Sequence, residues 1–448
     1  MRKIILGFIL LTVTGLTGQN INMSAPEGFG AAATGGGNGT PVTVTTYTAF
    51  KNALQSTTAA NRVILVSGTI DCIYTSVTLN NKTIIGLPGA RLRNTQITVG
   101  NSTTSANNSG ILNIKPGSNN VIIRNLIFEG PGAYDVDGRD NLTNEGTNIW
   151  VDHCEFQDGI DGNFDNKGLG DNVTISWCKF TYLKPAVPGG SGGSNDHRFS
   201  NLVGSSSTDA PADGHYSITF QNCYWATGCK ERMPRARNAE LHILNCYYNV
   251  QTTSSRAIGL GGGINNSTCY IQNTHFANVS SVYTSYVSTD GGTVGLSFTG
   301  CLGTSLTNVG TTFSPPSYTT SAFPVADVAT YVPDPTCGAG ATLNVSASGV
   351  ITANPCANLG MNQEVLDEEI KLYPTLIENV LNIQFPSSIN GKVDIGVYDM
   401  FGKQVYASSK NIEANENLEL NLFGLAKGVY VCKIQINGKS KNLKFIKK

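Results

Sequence analysis

The sequence predicts an all-β chain, with a parallel β-helix followed by a small C-terminal β-sandwich. Three observations carry this. A short strand-forming unit recurs seven times, mostly 23 to 28 residues apart. That gap is too short for a crossover helix and too irregular for hairpins, as expected of stacked coils. The composition agrees: 14% charged residues, 50 glycines and many Asn, Ser and Thr suit strands and turns. Beyond residue 360 an acidic stretch, MNQEVLDEE, interrupts the pattern, and dense period-2 alternation follows.

Residues 1–18 have a signal-peptide layout: Arg2 and Lys3, an apolar run from Ile4 to Leu11, then small residues. That run is too short to span a bilayer. The remainder divides into 19–360 for the β-helix, 361–371 as linker and 372–448 as sandwich. A net charge of -1 gives no global basic field, so nucleic acid is not an expected partner. Eleven cysteines in an exported chain permit disulfides, but none shows zinc-site spacing.

Along the chain, a Gly-rich segment through Gly39 leads to a strand at 42–44, a helix at 47–59 and short strands from Arg62. The repeated unit begins at Val121, Ile149, Val173, Ile218, Leu241, Ile271 and Leu296. Aligned, the copies place Leu126, Cys154, Cys178, Cys223, Cys246, Thr274 and Cys301 in one column. Asn125, His153, Trp177, Asn222, Asn245, Asn273 and Gly300 precede them. The cysteines read as a buried small-residue ladder and the asparagines as a turn ladder bonding between coils. One spacing is 45 residues, from Cys178 to Cys223, and contains the excursion PAVPGGSGGSNDHRFSN at 185–201. Loops leaving one face of a solenoid often build its binding cleft. In the final segment, strands at 380–385, 393–398, 418–422, 428–434 and 443–446 predict the sandwich.

Between two copies lies Asp161-Gly162-Asn163-Phe164-Asp165. Period-2 geometry turns Asp161, Asn163 and Asp165 one way. Fully extended, the two aspartates stand roughly 13 Å apart, so a shared cation requires a bend, which Gly162 can supply. The densest basic cluster is Lys230-Glu231-Arg232-Met233-Pro234-Arg235-Ala236-Arg237, either a solvated charge run or an anion site. Gly259-Leu260-Gly261-Gly262-Gly263 lacks the lysine and helix of a phosphate loop and reads as a tight turn.

Between Glu27 and Gly303 the chain resembles the pectate lyase superfamily, the family 1 polysaccharide lyases. The resemblance rests on Gly28-Phe29-Gly30, Val66-Ser67-Gly68-Thr69-Ile70, Trp150-Val151-Asp152-His153, Val173-Thr174-Ile175-Ser176, Leu202-Val203-Gly204-Ser205 and the Arg232 to Arg237 run. It implies a right-handed parallel β-helix, Ca²⁺ and β-elimination of polygalacturonate. By that resemblance Asp161 and Asp165 bind calcium, with a further ligand from the preceding coil, for which the chain offers Asp135 and Asp137. Arg232 abstracts the proton and Arg237 grips a carboxylate, with Arg235 and Lys184 as further substrate contacts. Lys184 sits one position early for the family's lysine, and Asn238-Ala239 replace the usual glycine after Arg237. An arginine base needs neighbouring cations that disfavour its charge, because free guanidinium has a pKa above about 12; Lys230, Arg235, Arg237 and calcium are candidates.

His153 and His242 read as structural, while His197 and His215 stay undecided. Open alternatives are a lyase for methylated pectin or another uronate polymer, and a non-catalytic polysaccharide-binding β-helix. Residues 372–448, with Tyr373-Pro374, Tyr398-Asp399-Met400-Phe401-Gly402-Lys403 and Leu425-Ala426-Lys427-Gly428, resemble the C-terminal sorting domain of type IX secretion substrates. That implies the type IX machinery as a partner and a secreted or cell-surface location. The chain is expected to act as a monomer.

Overall fold

The computed structural model describes residues 25–59, 62–97, 108–136, 139–352, 354, 370–387, 389–399, 404–436 and 439–448. Residues 1–18, Asp137 and most of the linker lie outside these. The chain forms two compact units, 1–357 and 358–448.

In the first unit each coil gives one strand to each of three long sheets. A representative coil runs through Thr147–Asp152, Glu155–Gln157 and Phe164–Asn166 before the next begins at Asp171–Ser176. Each strand pairs in parallel with its equivalent one coil on, as Ile149 does with Val173 and Leu142 with Phe164. The first sheet has eleven strands, ending in the antiparallel Val309–Gly310; the second and third have eight each. This is the parallel β-helix that the repeat predicted.

The repeated unit is two strands, not one, and the break falls on the residue before the cysteine column. Asn125, His153, Trp177, Asn222, Asn245, Asn273 and Gly300 all have φ between 46° and 64°. Left-handed backbone favours Asn and Gly, which explains the composition of that column. It bends the chain from the first sheet into the third. The asparagines also bond beyond their own coil: Asn125 Nδ2 donates to Gly86 O at 2.9 Å, and Asn245 Nδ2 to Phe323 O at 2.7 Å. The cysteine thiols are free, and each donates to a carbonyl of the preceding coil, as Cys223 Sγ does to Ile175 O at 3.3 Å. Inside the helix, Phe128, Phe156, Phe180, Trp225, Tyr248 and Phe276 form a continuous aromatic stack.

After the last coil the chain runs back over the first sheet. Tyr318 Oη meets Thr219 Oγ1 at 2.7 Å and His242 Nδ1 at 2.8 Å, and Leu343 N donates to Asn125 Oδ1. Helix Val325–Tyr331 supplies Val328 to a cluster with Trp150 and Trp177. At the other end of the unit, the expected helix spans Tyr47–Gln55, with Thr46 accepting from Ala49 N.

The second unit has a three-stranded sheet, Lys371–Tyr373, Val380–Gln384 and Asn417–Asn421, and a five-stranded sheet around Gly391–Asp399 and Gly428–Ile436. Leu381, Ile383 and Leu420 share one core with Val393, Ile395, Cys432 and Phe445, so the sheets form the expected sandwich. Strand Gln404–Ile412, which the sequence reading omitted, pairs with Gly391–Asp399.

Candidate active site

The second sheet organises the site. Phe164, Val203, Ala236 and Leu260 point into the core, so alternation turns Asp165, Leu202, Arg235 and Gly259 outward from successive strands. Carboxylates and arginines therefore rise from one face, a few strands apart.

The carboxylate group contains a residue that the sequence reading passed over, Asp140. It precedes strand Leu142–Asn144, whose register on Phe164–Asn166 sets it level with Gly162. A Cβ added to Gly162 would lie 2.6 Å from Asp140 Oδ1 and 2.9 Å from Asp165 Oδ1. Gly162 thus leaves open the space between the two carboxylates. Asp140 Oδ2 accepts from Thr143 Oγ1 at 2.7 Å, while its buried Oδ1 has no partner among the described residues. Burial and then the charge of Asp161 raise the Asp140 carboxyl above its usual range. Burial and then Asp140 raise Asp165 well above it. Burial also opposes ionisation of Asp161, but the adjacent His197 and Arg232 outweigh it and hold that carboxyl low. Lys167 lies within reach: burial works against its charge, but Asp140 and Asp165 more than offset this and raise its pKa.

Asn163 does not face outward with the aspartates, because the strand begins only at Phe164. Its buried Oδ1 instead accepts from Gly159 N at 3.1 Å and closes the bend around Asp161 and Gly162. An all-oxygen set with one buried unpartnered oxygen fits a hard divalent cation.

Asp135 lies elsewhere in the network. His197 bridges it to Asp161, with Nδ1 2.7 Å from Asp135 Oδ1 and Nε2 2.9 Å from Asp161 Oδ1. These three ligating atoms lie within 4.8 Å of one another. Imidazole nitrogen suits softer ions than carboxylate oxygen does, so carboxylates such as Asp140 and Asp165 suit a hard cation better than the group around His197. Asp135 also anchors the excursion: its carboxylate accepts from Ser194 N, and its carbonyl accepts from Gly192 N at 2.9 Å. The glycines there permit flat contact, since a Cβ at Gly190 would meet Tyr134 O at 2.0 Å.

The excursion returns beside the basic cluster. Asn201 N donates to Arg232 O, and the Arg232 guanidinium lies 4.8 Å over the Phe199 ring. Arg232 has φ 58°, strained for a non-glycine residue and a common mark of functional positions. Arg235 and Arg237 converge on the buried Asp290, at 3.0 Å each. Burial and then the neighbouring Arg237 push Arg235 below its usual pKa. Arg237 Nη1 also donates to Gly204 O at 2.7 Å. Lys184 Nζ donates to Gly130 O at 2.8 Å and lies 3.7 Å from Asp158 and 3.8 Å from Glu129.

His153 sits in a buried bonded network, with Nδ1 2.8 Å from Asp152 Oδ2 and its ring stacked on Trp177. His215 Nε2 is 2.7 Å from Asn265 O.

Residues 2–332 match the family model described as pectate lyase. The chain belongs to the pectate lyase family. Residues 371–448 match the model described as a secretion system C-terminal sorting domain. A pectate trisaccharide-lyase of Thermotoga maritima is 33% identical over 257 residues, covering 53% of this chain and 60% of the relative. One of Bacillus licheniformis is 30% identical over 310 residues, covering 65% and 80%. The match thus spans about six tenths of the Thermotoga relative. Among solved structures, a pectate lyase from Paenibacillus sp. 0602 has a TM-score of 0.54 at 16% identity, covering 72% of this chain and 97% of its own. That likeness carries the fold.

Proposed function

We propose that this member of the pectate lyase family is an exported, calcium-dependent enzyme that cleaves polygalacturonate by β-elimination and leaves 4,5-unsaturated oligogalacturonides. One observation carries the reading. Gly162 leaves a space between the Asp140 and Asp165 carboxylates, with Asp140 Oδ1 buried and unpartnered among the described residues, and the strand register sets the basic run of Arg232 to Arg237 two strands away.

A proton α to a uronate carboxylate is weakly acidic, and removing it builds negative charge on that carboxylate. Calcium held by Asp140, Asp161 and Asp165 would neutralise this charge. With its guanidinium neutral, Arg232 takes the proton from C5; the electron pair becomes the C4–C5 double bond, and the C4–O bond to the neighbouring sugar breaks, its electrons leaving on that oxygen, which takes a proton from solvent. Arg237 and Arg235 hold a carboxylate of the chain and fix the sugar's orientation. The excursion, tied down through Asp135 and His197, walls this side of the cleft. The sorting-domain match supports export through the type IX machinery, and the C-terminal unit serves that role.

The test is absorbance of unsaturated products from polygalacturonate, with calcium and with chelator. Ultraviolet-absorbing product that chelator suppresses is expected. Reducing-sugar release without that absorbance would mean hydrolysis. Faster, calcium-independent turnover of highly methylated pectin would move the assignment to a pectin lyase, and binding without cleavage to a binding module.

A further inference from the structure

Arg235 and Arg237 are oriented by an element that the proposed chemistry leaves unused. After strand Ser281–Ser285, a single helical turn, Val287–Asp290, delivers Asp290 to the arginines. Asp290 Oδ2 is 3.0 Å from Arg235 Nη2, Asp290 Oδ1 is 3.0 Å from Arg237 Nε, and the Asp290 side chain is only 5% exposed. Beneath the turn, Tyr286 supports the Arg235 guanidinium at 4.1 Å from its ring centroid.

The glycine run 259–263 makes this arrangement possible. A Cβ at Gly261 would fall 2.1 Å from Asp290 Oδ2, and one at Gly259 would fall 2.7 Å from the Tyr286 ring. Bare backbone at these positions lets the turn close against the second sheet. The result is two guanidinium groups on one carboxylate, with charge left over. Arg235 Nη1 and Arg237 Nε are both buried and neither makes a hydrogen bond among the described residues, so the Arg237 contact to Asp290 is an ion pair without hydrogen-bond geometry. A buried cationic N–H without an acceptor is costly, and an anionic oxygen is its natural partner.

We propose that Asp290 is a positioning residue that locks Arg235 and Arg237 into a fork for a uronate carboxylate, the pair of guanidinium groups keeping one positive charge in excess of Asp290. This rests on the polygalacturonate reading, so the test measures binding apart from turnover. Trigalacturonate is titrated calorimetrically, with calcium, into full-length wild type, Asp290→Asn, Asp290→Glu and Gly261→Ala, and each unfolding temperature is measured. Asp290→Asn is expected to weaken binding about tenfold and to raise KM in parallel, with kcat kept within about twofold and unfolding close to wild type. Asp290→Glu restores part of the affinity. Gly261→Ala keeps the carboxylate but displaces it, so it reproduces the loss, and it stands in if Asp290→Asn does not fold. Affinity within twofold of wild type in both variants overturns the proposal. So does a loss of kcat, affinity and unfolding temperature together, which marks a purely structural role. Wild type that binds trigalacturonate without cleaving it removes the lyase reading but leaves the fork open to the same comparison. Wild type that does not bind overturns both.

Discussion

Single residues carry the decisive chemistry, and Asp140 tests the cation site most sharply. It is buried among like charges and has an unpartnered oxygen, so in the metal-free protein its charge opposes folding. Asp140→Asn should weaken calcium binding by roughly tenfold or more in a calorimetric titration. The same substitution should raise the unfolding temperature of the chelated protein. A residue kept only for structure would lower that temperature and leave calcium affinity alone. Arg232→Lys is expected to cut turnover by about a thousandfold while oligogalacturonate still binds, because lysine keeps the charge but not the placement of the base. Turnover within tenfold of wild type would remove Arg232 from the proton transfer. Asp161, Asp165 and Arg232 stand in contiguous motifs, which is why a sequence reading singles them out as candidates. Asp140 was passed over because the aspartates in Tyr134-Asp135-Val136-Asp137 stood out first in the preceding coil. A signal did exist: Asn141-Leu142-Thr143-Asn144 repeats Asn163-Phe164-Asp165-Asn166, and the ladder bond from Asn144 Nδ2 to Asn166 Oδ1, at 3.0 Å, confirms that register. His197, Phe199 and Asp290 carried no such mark, since their roles come from chain segments that meet only in the folded molecule.

Elements explain why the repeat was readable and the three-sheet layout was not. Strands of two or three residues, such as Arg235–Ala236 and Phe164–Asn166, are too short to show a period. Only the first-sheet strand and the bend after it recur strongly enough to align. At that bend Asn245 has φ 49° and bonds both backbone groups of Phe323, its Oδ1 accepting at 3.0 Å. Asn245→Ala should therefore cost about 2 kcal/mol in denaturant unfolding, from left-handed strain and two lost bonds. A cost below about 0.5 kcal/mol would show that the returning segment contributes little. The same segment seals His242 beneath Tyr318 and gives the fold a pH dependence. Burial lowers the His242 pKa to about 4, while in the unfolded chain it stays near 6.5. Between those values the unfolded chain binds more protons, so stability rises with pH. It is complete above about pH 6.5 and falls as pH drops toward 4, by at most roughly 3 kcal/mol. His242→Gln should flatten that slope in urea titrations at pH 7 and pH 4.5, and an unchanged slope would remove His242 as its source.

On the scale of the whole molecule, the chain is two folding problems joined in sequence. The β-helix core draws on residues from Val44 to Leu296, the sandwich core on residues from Ile370 to Phe445, and no residue belongs to both. Each unit can then bury its own apolar surface, which is the condition for folding alone. Every residue assigned to the cation site, the base and the carboxylate fork lies in the first unit. The second unit has no tryptophan and, among the described residues, buries Phe385, Tyr430 and Phe445 while exposing Tyr373 and Phe423, few rings for a polysaccharide-binding surface. Deleting 372–448 should therefore leave kcat and KM on soluble polygalacturonate within about twofold of the full chain, with the unfolding transition of the β-helix unchanged. In the native host the truncated protein should stay in the periplasm, while the full chain reaches the surface or the medium. Fractionation distinguishes the outcomes: normal export of the truncation would refute a sorting role, and a large rise in KM would assign the second unit to substrate binding despite its buried aromatic residues.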